Sequence, residues 1–245
     1  ERCQLAEENG IHAYASFEEV LSDSRVDFVT IATPNDTHEE IAIAALRAGK
    51  NVISEKPVTL SMESLERMIS VAEECGKIFT VHQNRRWDED YRTIRHIYEQ
   101  GTLGKVFRVE SRVHGSRGIP GDWRNRKECG GGMVLDWGVH LLDQMMQMFK
   151  APVTSIYADL SYVTNEECDD GFTVTIKFAD GLTAVVEVGT SNFVELPRVD
   201  ANGNPINGYV PATCRATGLS HKVCTFCGKS EDIVLPKLDH VNAAG

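Results

Sequence analysis

No run of about 18 apolar residues occurs in this 245-residue chain, so the sequence offers no candidate for a membrane-spanning helix. The opening segment "ERCQLAEENG" lacks the charged-then-apolar layout of a secretion signal. Basic blocks are missing as well. The formal charge is −11 and the pI near 5.2, which argues against nucleic acid as a partner, because binding a polyanion rests on a cationic surface that releases counterions. There is no internal repeat and no low-complexity tract. These absences predict a cytoplasmic protein with neither a membrane nor a nucleic-acid partner. What is present is ordinary: 42% hydrophobic residues over 245 positions supply a core for one large domain or two of usual size.

A disulfide framework is also absent. Seven cysteines, Cys3, Cys75, Cys129, Cys168, Cys214, Cys224 and Cys227, form an odd and scattered set, for which reduced thiols are the expectation. One cluster stands apart. In "HKVCTFC" the spacing of His221, Cys224 and Cys227 is metal-like, and Cys214 or His240 would complete four ligands for zinc. A single CxxC hook is a weak signal, and the expectation is no metal.

From 17 to 82, helical and strand-like segments alternate: "SFEEVLSD", "VDFVTIAT", "THEEIAIAALRAG", "NVISE", "SMESLERMISVAEECG" and "IFTVH". Short β-rich runs separated by amphipathic helices predict βαβ crossovers and a Rossmann-like parallel α/β sheet. Asn35, Asp36 or Thr37 can cap the helix that Gly49 ends, and Ser61 with Ser64 can open the helix that Gly76 ends. After 104 the segments lengthen and alternate with period two: "KVFRVESRVHG", "VTSIYADLSYV", "DGFTVTIKFADG" and "LTAVVEVGTSN". They predict an α+β domain with an open, mostly antiparallel sheet and one helix, "GGMVLDWGVHLLDQMMQMF". The expected division is 1–83 and 84–245. The Gly-, Pro- and Asn-rich tail after about 197 carries no assignable pattern.

Parallel sheets bind ligands in the loops beyond the carboxyl ends of their strands. Three such loops are polar here: "ATPNDTH" (32–38), "SEKP" (54–57) and "HQNRRW" (82–87). Each admits a purely structural reading, as helix cap, solvated pair or surface charge, but the three converge on one edge. Lys56 at such a mouth can pass a proton or hold a substrate oxygen as a cation, and Pro57 fixes the backbone directly after it. In "LDWGVHLLD", Asp136 and His140 stand at i,i+4, which on an α-helix places carboxylate and imidazole on one face as an acid/base pair. The alternative makes His140 a core histidine on a helix whose apolar positions are Leu135, Val139, Leu142, Met146 and Phe149. "GGGM" (130–133) lets the backbone approach a ligand or a neighbouring segment closely.

"EKP", followed some eighty residues later by "GGGMVLDWGVHLLD", with "IATPNDTH", "HQNRRW" and "DWR" in order, resembles the glucose-fructose oxidoreductase/inositol dehydrogenase/MocA (Gfo/Idh/MocA) family over roughly residues 1–196. The resemblance implies a Rossmann domain holding NAD or NADP. It also implies a second domain that contacts a sugar, cyclitol or related polyol and supplies a homo-oligomer interface, dimer or tetramer. It implies catalytic roles for Lys56, Asp136 and His140, the last as general base. Thr33, Pro34, Asn35, His38, Glu55, Lys56, Gln83 and Asn84 would face the cofactor. Lys56, Trp123, Arg124, Asp136 and His140 would face the substrate. The chain departs from the family in lacking G-x-G-x-x-G, and the expectation is that it represents an N-terminally incomplete member. Two other readings stay open: a non-catalytic ligand- or partner-binding module, and a zinc site appended in the tail.

Overall fold

The computed structural model describes residues 2–191, 194–195, 205, 209–210, 216–223 and 230–237. The chain divides into two compact units, Glu1–Ile94 with Glu128–Gly130, and Arg95–Lys127 with Gly131–Gly245.

The first unit contains α1 (Arg2–Glu8), α2 (Phe17–Ser22), β1 (Phe28–Ile31), α3 (His38–Arg47), β2 (Asn51–Ser54), α4 (Met62–Cys75) and β3 (Phe79–Val81). The strands pair in the order β1-β2-β3, all parallel, with a helix in each crossover. Ile31, Ala42, Ala45, Leu46, Val52, Met68, Val71 and Ala72 form the core, drawn from β1, α3, β2 and α4. Small alanines on α3 let that helix lie close to its neighbours, and the larger buried side chains each contribute about 1.5–3 kcal/mol.

Helix α4 begins and ends as its sequence predicts: Ser61 Oγ accepts the Ser64 N–H at 3.1 Å, and Gly76 stops the helix at φ 61. The start of α3 departs from expectation, because the cap residue, Thr37, accepts no helix N–H through its side chain. A 3-10 turn, Asn35–Thr37, runs straight into the helix, so the cap position Thr37 is itself helical at φ −96, ψ −9. Its hydroxyl turns back to the Pro34 carbonyl at 2.7 Å instead.

Helix α5 (Glu89–Glu99) leads into the second unit. That unit holds β4 (Arg108–His114), α6 (Val139–Met148), β5 (Val153–Ser161), β6 (Gly171–Phe178) and β7 (Thr183–Gly189), with sheet order β4-β7-β6-β5. The pairs β5–β6 and β6–β7 are antiparallel and β4–β7 is parallel, a mostly antiparallel sheet as expected. A further antiparallel sheet joins β8 (Val194–Glu195), β9 (Gly218–Val223) and β10 (Ser230–Leu235).

Alternation in β6 buries Phe172, Val174, Ile176 and Phe178 on one face. Helix α6 covers that face at both ends. Phe149 meets Phe178 edge-on at 5.6 Å, and a Cβ at Gly138 would stand 3.1 Å from the Phe172 ring. Strand β5 lies outside the helix's footprint and is exposed at all nine positions.

The helix expected as one α-helical run starts instead as a π-helical turn, Val134–Gly138, in which the Val139 N–H reaches back five residues to the Val134 carbonyl. This extra residue in the turn rotates the register. Leu141, Met145, Met148 and Phe149 are buried together with His140 and Gln144, while Met146, an apolar position of the alternative reading that makes His140 a core histidine, is 40% exposed.

Candidate functional site

In the first unit, the parallel ladder continues one residue beyond the strands: the Glu55 N–H bonds the Ile31 carbonyl and the His82 N–H bonds the Ser54 carbonyl, both at 2.8 Å. Glu55 and His82 therefore leave neighbouring strand ends side by side, and His82 Nδ1 lies 2.8 Å from Glu55 Oε1. The carboxylate thus engages His82. Lys56 follows, half-buried, and its peptide bond to the buried Pro57 is cis.

Thr33 and Thr37 share a hydroxyl hydrogen bond of 2.6 Å beyond β1. Asn35 and His38, from the same loop, are buried and committed to backbone. Asn35 Nδ2 donates to the Gly130 carbonyl at 2.9 Å. His38 is fully buried, with Nδ1 2.9 Å from the Pro57 carbonyl and Nε2 3.0 Å from that of Thr33. Both ring nitrogens thus face backbone carbonyl oxygens, and whichever carries a proton donates to its carbonyl. Half-buried Pro34 lies within this loop. Beyond β3, Gln83 is half-buried and Asn84 opens a 3-10 turn, Asn84–Trp87, whose Arg85 pairs with Asp88 at 3.0 Å. All the residues expected to face a cofactor thus gather at the carboxyl ends of β1, β2 and β3, as the topology requires.

The second unit gathers the other set. Asp122 caps the short turn Trp123–Asn125: its Oδ1 accepts the Arg124 N–H at 2.9 Å and its Oδ2 accepts from Arg124 Nη1 at 2.7 Å. The guanidinium lies 4.5 Å from the centre of the Trp123 ring and presents Nε 3.6 Å from Asp136 Oδ2. Trp123, Arg124 and Asp136 are therefore one connected group. His140, 4% exposed on α6, meets the edge of Trp137 at 6.3 Å.

The triple glycine approaches protein in this structure. A Cβ at Gly131 would fall 2.3 Å from the Arg124 carbonyl, and one at Gly132, where φ is 105, would fall 2.2 Å from Asp169 Oδ1. His82, Asp122 and Asp169 are the residues that sequence reasoning missed. Asp122 had a local signal, an Asp directly before a turn; His82 and Asp169 act across strands and loops.

Among the described residues no group of three His, Cys, Asp or Glu side chains could hold a metal ion. His221, from the metal-like cluster, bonds Asp232 across β9 and β10 at 2.7 Å, while Cys214, Cys224, Cys227 and His240 lie outside the described residues. Cys75, Cys129 and Cys168 are free thiols. No helix among the described residues is long and apolar enough to cross a membrane.

Two family models match this arrangement: "Oxidoreductase family, NAD-binding Rossmann fold" over residues 1–83, and "GFO/IDH/MocA C-terminal domain" over residues 91–204. The chain belongs to the Gfo/Idh/MocA family of oxidoreductases. A solved NAD-binding protein from Listeria innocua is similar at 46% identity and a TM-score of 0.76, covering 94% of this chain and 62% of its own. The uncharacterized oxidoreductase C115.03 of Schizosaccharomyces pombe is 34% identical over 172 residues, 69% of this chain and 47% of that protein. The scyllo-inositol 2-dehydrogenase (NADP(+)) IolW of Bacillus subtilis is 29% identical over 187 residues, 76% of this chain and 52% of that protein. This Gfo/Idh/MocA chain therefore spans about half the length of these curated relatives.

Proposed function

We propose that the chain serves an NAD(P)-dependent oxidoreductase that moves hydride between a nicotinamide and a hydroxyl-bearing carbon of a sugar, cyclitol or related polyol. The observation that carries this reading is the gathering of Thr33, Glu55, Lys56, Gln83 and Asn84 at the carboxyl ends of three parallel strands. The donor set fits a dinucleotide there. The Glu55 carboxylate, 32% exposed, can accept hydrogen bonds from ribose hydroxyls, and the Thr33 hydroxyl and the Gln83 and Asn84 amides offer neutral polar contacts. Asn35 and His38 enter as braces of the loop that presents Thr33 and Pro34.

A bound nicotinamide would accept the hydride. The protein's own residues then have two tasks, holding the alcohol and taking its proton. Lys56 provides a cation for the substrate oxygen, and His140, as general base, accepts the hydroxyl proton. Arg124 orients Asp136 through their ion pair, and Trp123 and Arg124 shape the substrate side. The cyclitol activity in the name of the Bacillus subtilis relative supports this substrate class. A homo-oligomer, dimer or tetramer, belongs to the same reading; its support is the exposed strand β5, where Ile156 is 64%, Tyr157 67% and Leu160 42% exposed.

The test is a panel of inositols and aldoses with NAD and with NADP, followed by appearance of reduced nicotinamide. Turnover on at least one polyol that falls about a hundredfold or more in Lys56→Ala and His140→Ala, with circular dichroism unchanged, is expected for a lost proton-transfer group. Wild-type rates in both variants would overturn the assignment.

A further inference from the structure

We infer that Asp169 is a positioning residue for Asp136 and His140: a buried carboxyl that clamps the turn from which their helix starts. The inference rests on the reading above that Asp136 and His140 handle the proton.

Asp169 stands in the loop between β5 and β6, 8% exposed. Its Oδ2 accepts the Val134 N–H at 2.8 Å, and its backbone carbonyl accepts the Met133 N–H at 2.9 Å. The opening N–H groups of a helix have no partner within the helix, and a local side chain usually supplies one. Here the cap position is Met133, which makes no side-chain cap bond. The acceptor comes instead from 35 residues downstream, so the place where the helix begins is set by the loop between β5 and β6.

The clamp reaches Asp136 through Gly132. That residue packs so closely on Asp169 Oδ1 that no side chain fits between them. Its N–H bonds the Arg124 carbonyl at 3.0 Å, and its carbonyl receives the Asp136 N–H at 3.0 Å. One backbone unit thus joins the clamp, the backbone of the arginine that pairs with Asp136, and Asp136 itself. His140 follows one turn later on the same continuous helix.

Asp169 is itself held in place. Asn165 Oδ1 accepts the N–H groups of Glu167 and Cys168, both at 2.8 Å, folding the loop before it. The next residue, Asp170, is 2% exposed; its N–H bonds the Ser161 carbonyl at 3.0 Å and its carboxylate accepts the Thr164 N–H. The Asp170 carbonyl also takes the Thr190 hydroxyl at 2.7 Å, tying the loop to the end of β7. A change at Asp169 therefore moves the helix start before it moves the loop.

The test compares Asp169→Asn, whose amide oxygen still accepts the Val134 N–H, with Asp169→Ala, which accepts nothing. Two signals are read by NMR: the His140 ring resonances, which sense the ring current of Trp137, and hydrogen exchange of the Val134 amide. In Asp169→Ala the His140 resonances are expected to move and the Val134 protection to fall about tenfold, the worth of one net hydrogen bond. The amides of β6 and β7 keep their protection, and Asp169→Asn behaves as wild type in both signals.

Val134→Pro removes the donor, and Met133 before it must leave its helical backbone conformation, so the variant is expected to displace the same His140 resonances. It serves where Asp169→Ala fails to fold. Unmoved His140 resonances in either of these two variants overturn the inference. So does an equal loss of protection across β6 and β7 in Asp169→Asn and Asp169→Ala, which would mark a merely structural carboxyl. Displaced resonances combined with wild-type turnover in a cofactor-loaded His140→Gln enzyme leave the clamp standing and remove the proton-handling role.

Discussion

His38 holds Pro57 and Thr33 together: one imidazole spans the loop after β1 and the loop after β2, with its two nitrogens 2.9 Å and 3.0 Å from their carbonyl oxygens. Because the ring is fully buried, its removal leaves a cavity and takes a partner from the buried Pro57 carbonyl and the part-buried Thr33 carbonyl. His38→Ala is expected to cost about 2–4 kcal/mol in urea unfolding. A loss under about 1 kcal/mol would mean that the two loops are held by other contacts.

Gly132 and Gly101 both have positive φ, but only Gly132 is crowded: a Cβ at Gly101 meets nothing within 4 Å. Gly101→Ala should cost about 1 kcal/mol, from backbone conformation alone. Gly132→Ala should cost at least about 2 kcal/mol more, because it also collides with Asp169. Equal losses would show that the close packing at 132 yields easily.

Burial raises the Asp169 carboxyl above the ordinary carboxylate range, against the lowering effect of the Val134 N–H. A raised folded value means that the native state holds this proton more tightly than the unfolded chain does. The contribution to stability is therefore full below the ordinary carboxylate value and declines as pH rises through the folded one. Asp169→Asn has no such slope and should gain on wild type as pH rises through that window. Parallel urea-midpoint curves for the two proteins would contradict this.

Arg67 lowers the Glu39 carboxyl by direct hydrogen bonds, with Nε 2.5 Å from Oε1 across α3 and α4. A lowered folded value gives stability that is present above the ordinary carboxylate range and lost as pH falls through the folded value. The Arg67 side chain is 57% exposed, so Arg67→Ala should cost less than about 1 kcal/mol near neutrality. That cost should shrink toward zero in acid; a cost independent of pH would assign the effect to packing of the arginine stem.

Much of the fold was legible because its patterns are local. The βαβ alternation, the Ser61 and Gly76 ends of α4 and the period-two strands of the second sheet all follow from spacing along the chain. Helix α5 also carries a local signal, the helical spacing of Tyr91, Ile94 and Tyr98. The hairpin of β9 and β10 was obscured by the Gly- and Asn-rich residues around it, although His221–Asp232 and Lys222–Glu231 pair across it.

Contacts that join distant segments left no sequence signal. Asp169 reaches Val134 from 35 residues away, and His82 reaches Glu55 from 27. The π-helical turn is the sharpest case: with one extra residue at the start of the helix, Leu141, Met145 and Met148 are buried, while Met146, an apolar position of the alternative core reading, lies outside. The loops that carry Thr33, Lys56 and Gln83 were found from sequence because a parallel sheet fixes which strand ends can bind.

The most direct measurement is a titration with NADH and NADPH followed by nucleotide fluorescence, alongside the intact mass of the sample and the turnover of wild type and His140→Gln. Saturable binding of one nucleotide with similar affinity in both proteins is expected, with turnover lower by about a hundredfold or more in His140→Gln. Absence of saturable binding by either nucleotide, or wild-type turnover without the His140 imidazole, would contradict the proposed function.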